Sequence, residues 1–158
     1  MAKPREPTST RINTKCKRAY EILTDTRWLG RIQQCEGISE FGFALLLHYV
    51  QLEAALKVIR YWDRLEDGWP DQIKINANWK PLRDLKALDR SKYDLVIGRG
   101  GRSLREIRNR VAHEGILIGE KEYASFALTA KWAMVQLRSR LPSQTDLSRK
   151  LLRAAIRR

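Results

Sequence analysis

The chain is predicted to be all-α, a helical bundle with a long central helix, a late helix carrying the chemically dense stretch, and a basic C-terminal helix. Three observations predict it. Apolar residues recur at spacings of three and four along most of the chain, capping signals precede the apolar runs, and no segment alternates with period two. At 158 residues, 43% hydrophobic and 31% charged, it is long enough to bury one sizeable core. No internal repeat is visible.

Residues 1–13 hold two prolines with Thr, Ser and Arg and read as a flexible basic arm. A helical domain is expected over 14–141, opening with a short helix at 14–24. From Ser39 to Glu66 the sequence supports a long helix. Glu53, Lys57, Arg60 and Arg64 fall in one narrow polar sector of it, and nearly everything else is apolar, so this helix belongs at the centre of the bundle. Asp67-Gly68-Trp69-Pro70 breaks the chain, and 68–78 is expected to be the longest loop.

A shorter helix follows at about 79–89, with Pro81 tolerated in its first turn. Ser91 to Asp94 reads as a capping box, and Gly98-Arg-Gly-Gly101 as a turn rather than a nucleotide loop, since it lacks the Lys-Ser/Thr ending and follows no strand. Ser103-Leu-Arg-Glu106 is a second capping box, opening a helix that stops near Gly115. Another helix begins near Glu120, with Tyr123, Ala127, Ala130, Met134, Leu137 and Leu141 on its apolar side. Pro142 ends it and Ser143 caps a basic helix or tail at 142–158.

Charge is concentrated at the ends. Of the formal +13, residues 1–20 carry +5 and residues 138–158 carry +6, leaving the intervening chain nearly neutral. Basic ends favour a polyanion, whose counterions they release; a solubility role is the alternative. No apolar run of transmembrane length and no secretory signal is apparent, so no membrane partner is expected and the expected location is cytoplasmic. Cys16 and Cys35 match no metal or redox spacing and read as reduced structural thiols. No metal and no cofactor is expected.

The stretch Ile107-Arg-Asn-Arg-Val-Ala-His-Glu-Gly115 sets two arginines, an asparagine and one of only two histidines near a helix end. Leu104, Ile107 and Val111 make its buried stripe, Arg108 lies at the stripe's edge, and Asn109 and His113 share another face. Arg108 and His113 point about 140° apart at 100° per residue, so they flank a cleft rather than converge on one atom.

Arg108-Asn109-Arg110-Val111-Ala112-His113 resembles the Arg-polar-x-x-x-His motif of the HEPN (higher eukaryotes and prokaryotes nucleotide-binding) domains, and a motif at the end of a late helix before one more long helix matches their layout. The resemblance covers the short motif plus the helical arrangement over about 39–141. It implies a metal-independent endoribonuclease, a homodimer whose two motifs face each other across one composite site, of a kind found in toxin–antitoxin and antiviral defence systems, with an antitoxin or regulatory protein as a possible partner. Toxins paired with minimal nucleotidyltransferases have a Tyr two residues after the His; here that position is Gly115.

The roles also follow from chemistry. RNA cleavage by the 2′-hydroxyl needs a group that moves its proton and a cation for the charge gathering at phosphorus. Histidine suits the first task, so His113 is the candidate acid/base. The arginine fork suits the second, so Arg108 is the candidate stabiliser. Asn109 is expected to orient the imidazole or bind the scissile phosphate. Arg102 and Arg105, at spacings of three from Arg108, extend a basic track for RNA. Arg110 belongs to the same RNA-binding set, although Glu106 and Glu114 four residues away favour an ion pair. Glu53 is a possible supporting residue, with an ion pair to Lys57 as its competing use. His48 reads as a core histidine with a backbone partner. Trp62, Trp69 and Trp79 are expected to be buried in preference to stacking on bases. A non-catalytic HEPN-like module binding nucleic acid, nucleotide or protein is the alternative function.

Overall fold

The computed structural model describes residues 8–64, 79–98 and 103–156. Eight helices are found among them: α1 (Thr8–Thr24), α2 (Arg27–Gly37), α3 (Phe41–Arg64), α4 (Lys80–Leu88), α5 (Arg90–Ile97), α6 (Leu104–Glu114), α7 (Glu120–Arg138) and α8 (Gln144–Ile156). The all-α bundle with a long central helix is therefore what the chain forms. No strand occurs among the described residues.

The centre is α3, against which α1, α2, α6 and α7 all pack. Ala44, Leu45, Leu52, Ala55 and Ile59 of α3 enter the main core with Leu82 and Leu85 of α4, Val96 of α5, Leu104 and Ile107 of α6, and Ala130, Ala133 and Leu137 of α7. A helix covered on so many sides tolerates few polar residues, which explains its composition. That composition has a second consequence. Phe41–Asp63, with mean hydropathy 1.4, does reach the length and apolarity of a membrane span, contrary to the expectation that no stretch would. Half of that span is buried inside the bundle.

Two segments differ from expectation at the N-terminal end. The arm expected over 1–13 gives way to helix already at Thr8; Pro7 stands just before that first turn, where proline is compatible with a helix start. Residues 25–38, for which the sequence signals no element, contain α2, whose Ile32 is buried in the core while Cys35 packs against it. Asp25 accepts the backbone N–H of Arg27 at 3.0 Å and so supports the start of α2. After Gly37 the chain turns through Ser39, which is left-handed at φ 60°.

Helix ends elsewhere follow capping chemistry. The capping box expected at Ser91–Asp94 is displaced: α5 starts at Arg90, and Asp89 accepts the Lys92 N–H at 3.0 Å. Asp89 also closes α4, its own N–H bonded to the Leu85 carbonyl, so one residue serves both helices. Ser103 accepts the Glu106 N–H at 3.3 Å, and Ser143 accepts that of Asp146 at 3.1 Å, as expected for α6 and α8. Gly115 ends α6 with φ 64°, the left-handed conformation in which a side chain would cost about 1 kcal/mol. The loop expected at 68–78, with Trp69, and the turn after Gly98 lie outside the described residues.

Candidate functional site

The site is carried by α6 and the part of α3 beneath it. Leu104 and Ile107 are buried, and Val111 packs half-buried against the core. A Cβ added to Gly42 of α3 would stand 3.3 Å from Val111 Cγ1. The small residue thus sets how closely the two helices approach. This packing fixes the rotation of α6, leaves Arg108 at the seam between the helices, and turns Asn109, Arg110 and His113 to the surface.

Arg108 is the most constrained polar residue of the group. Its guanidinium carbon lies 4.4 Å from the ring centroid of Tyr49, a cation–π contact contributing about 0.5–1 kcal/mol. Its Nη1 donates to Asn109 Oδ1 at 2.7 Å. Its Nε is buried without a hydrogen-bond partner, a state that costs about 1–3 kcal/mol when the donor stays unmet. No carboxylate pairs with Arg108 among the described residues. The result is a half-buried, braced cation with no carboxylate partner among the described residues, which favours an anion beside it.

His113 is exposed in the last turn of α6 and forms no hydrogen bond or ion pair among the described residues. Five residues separate it from Arg108, an axial rise of about 7.5 Å. Asn109, expected either to orient the imidazole or to meet phosphate, is instead the acceptor that steadies Arg108. Arg105 is exposed on the first turn of α6. Arg110 pairs with Glu114 at 3.6 Å, both partly exposed, so its charge is locally offset. Glu53 pairs with Lys57 at 3.2 Å along α3, the competing use foreseen for it. Arg102 lies outside the described residues. The structure therefore brings together Arg108, Asn109 and an unforeseen Tyr49. His113 shares their helix without touching them.

The second histidine sits elsewhere. His48 is buried, and its Nε2 lies 3.1 Å from the Tyr123 hydroxyl, which donates to Glu36 Oε1 at 2.5 Å. The backbone partner expected for His48 is thus replaced by a side chain from α7. The hydroxyl has one proton and gives it to Glu36, so it can only accept from His48, which puts the imidazole proton on Nε2. Burial, with the positive charge of Lys131 next in effect, lowers the His48 pKa to about 4. Burial and the bond to Glu36 raise that of Tyr123. Phe41 stacks on Tyr123 with centroids 5.3 Å apart.

The remaining singled-out residues have structural uses. Trp79 is buried and donates from its indole to Asp63 at 3.0 Å, while Trp62 is half-buried beneath Lys150. Both cysteines are free, and burial pushes the Cys16 thiol up to about 12, which keeps it unreactive. No group of three or more His, Cys, Asp or Glu side chains suited to a metal ion assembles among the described residues.

Family models, curated proteins and solved structures offer no match to this chain, and none of them identifies the HEPN domain that the motif resembles.

Proposed function

We propose that the protein is an endoribonuclease cleaving RNA by 2′-hydroxyl transesterification without a metal ion. The observation that carries this reading is Arg108: a guanidinium stacked on Tyr49, braced by Asn109, with a buried N–H unmet and no carboxylate to neutralise it among the described residues. Such a fork is prepared for the oxygens of a phosphate, and it stands on the same helix as a solvent-accessible imidazole. In this mechanism His113 takes the proton of the 2′-hydroxyl as that oxygen attacks phosphorus. Arg108 stabilises the charge gathering on the phosphorane; the P–O5′ bond then breaks, the departing 5′-oxygen takes a proton from solvent water, and the proton held by His113 returns to solvent. Products are a 2′,3′-cyclic phosphate and a 5′-hydroxyl.

One helix aims Arg108 and His113 apart, so the mechanism requires a two-fold homodimer contact near α6, with His113 of one copy working beside the Arg108 of a second copy. An isologous contact of this kind is the usual form of a homodimer. A toxin-type or defence role, with an antitoxin or regulatory protein restraining the activity, follows from the motif's resemblance. The alternative, a non-catalytic module binding nucleic acid, nucleotide or protein, is favoured by one observation: no neighbour orients His113 among the described residues, whereas catalytic imidazoles are commonly held.

Incubation with structured and unstructured RNA, with and without EDTA, decides between them. Cleavage that survives EDTA and leaves cyclic-phosphate and 5′-hydroxyl ends is expected, and His113→Ala should abolish it. A fully active His113→Ala protein overturns the assignment. Mixing Arg108→Ala and His113→Ala chains should restore part of the cleavage if the site is shared between copies.

A further inference from the structure

Helices α1 and α8, one from each basic end of the sequence, share packing in the fold. Cys16 of α1, Tyr61 of α3 and Leu147 of α8 form one buried cluster, with Tyr20 and Trp62 packed against it. The Tyr20 hydroxyl reaches the carbonyl of Pro142 at 3.5 Å, across 122 residues of sequence. Leu141, at the junction of α7 and α8, packs against Ala19 of α1 together with Ala54 and Val58 of α3. Lys150 is anchored here too, its ammonium 4.2 Å from the Trp62 ring centroid and 3.1 Å from the Trp62 carbonyl.

Cys16 and Ala19 of α1 and Leu147 of α8 are buried in this packing, while basic side chains of both helices face solvent. On α1, Lys15, Lys17 and Arg18 are exposed; on α8, Arg149 and Arg153 are. None of these five has an ion-pair partner among the described residues. Uncompensated like charges placed on neighbouring helices repel one another, and that cost is relieved by a polyanion spanning both.

We propose that α1 and α8 together form a single surface that binds the phosphate backbone of RNA. An anionic membrane fits less well, because the described outward side chains of both helices are polar apart from Leu152, and an interfacial helix needs an apolar face to insert. The choice of RNA among nucleic acids rests on the proposed ribonuclease; the surface itself rests on the packing. Along α3, Trp62 stands thirteen residues beyond Tyr49, about 20 Å at the rise of a helix. A strand held by α1 and α8 therefore engages the protein several nucleotides from the phosphate at Arg108.

Binding is read by fluorescence anisotropy of a short labelled single-stranded RNA, with the full chain carrying His113→Ala so that no cleavage intervenes. Changing Lys15, Lys17 and Arg18 to Gln, or Arg149 and Arg153 to Gln, should each weaken binding at least about tenfold. The log–log salt slope should fall by about 0.7 for each phosphate that the protein no longer neutralises. The decisive variant keeps every charge: Leu147→Ser loosens α8 from the cluster and should weaken RNA binding about as much as removing the α8 charges, with helical circular dichroism retained over the rest of the chain. Unchanged affinity and slope in the two charge variants, whose substitutions are all at exposed positions, overturn the surface. Parental binding by Leu147→Ser overturns its unity and leaves two independent arms. Tighter binding of the unmodified chain to phosphatidylserine vesicles than to RNA overturns the choice of partner. Cleavage is measured separately with the unmodified chain, so intact RNA binding together with no cleavage by the unmodified chain removes the ribonuclease proposal alone.

Discussion

The chain has two histidines, and the fold treats them in opposite ways. His48 is enclosed among α2, α3 and α7, its proton placed on Nε2 by a Tyr123 hydroxyl that is itself committed to Glu36. His113 stands in solvent at the end of α6 with no partner among the described residues. The buried one has its ionisation suppressed, its pKa lowered to about 4, and so serves as a neutral strut. The exposed one is open to solvent and to a ligand. The same side chain thus contributes to stability in one place and, in the proposed mechanism, to reactivity in the other.

The sharpest way to break that contrast is to exchange the expected effects. His113→Ala or Arg108→Ala should cost the cleavage reaction about 3–5 kcal/mol of transition-state stabilisation, a loss of roughly a hundredfold or more. The midpoint of urea unfolding should move little for His113→Ala, because exposed positions contribute within about 0.5 kcal/mol. A large stability loss with activity retained would reverse the roles of the two histidines.

Acidity should act on His48 through stability. Its folded pKa lies below the value of about 6.5 found in the unfolded chain, so the unfolded state binds the proton more readily. Stability is then fully present above pH 6.5 and falls as the pH drops towards about 4, by about 3 kcal/mol in total. Urea titrations between pH 7 and 4 measure it, and His48→Gln should flatten that part of the profile. A parent profile no steeper than that of His48→Gln would show that His48 titrates normally.

Removing the central hydroxyl is a smaller perturbation. Tyr123→Phe preserves the ring and its stacking on Phe41 but strands the His48 N–H, for a loss of about 1–3 kcal/mol seen in thermal unfolding. Smallest of all, Tyr49→Leu removes the aromatic face under Arg108 while keeping an apolar side chain. About 0.5–1 kcal/mol of positioning should be lost, read as a severalfold fall in kcat with KM for RNA less affected.

What is legible in the sequence is local. Ser103, Gly115 and Ser143 announce helix ends because capping depends on a few adjacent residues, and the apolar sweep of α3 announces its central place. At Asp89 and Ser91 two cap-forming residues compete, and the choice depends on where α4 stops, which its packing decides. Helix α2 carries little signal because its start is marked only by Asp25 and its buried side is narrow, with Ile32 alone fully enclosed. For the site, the motif marks Arg108 and His113, and the i,i+4 rule marks Arg110 with Glu114. The partners that define each environment come from other helices. Tyr49 beneath Arg108 and Tyr123 beside His48, 75 residues away in sequence, emerge only once α3, α6 and α7 are set against one another.

Among the described residues of α8, Leu147 alone is fully buried. Leu147 belongs to a small cluster apart from the main core, and a helix seated there is expected to open by local fluctuation below the free energy of global unfolding. Its amides should exchange with deuterium far sooner than those of α3, whose carbonyls and N–H groups lie beneath four neighbouring helices. A ligand that bridges α1 and α8 binds only the closed arrangement, so the exchange rate falls with the fraction of protein left unliganded. Exchange at α8 is thus a built-in reporter of the bound state.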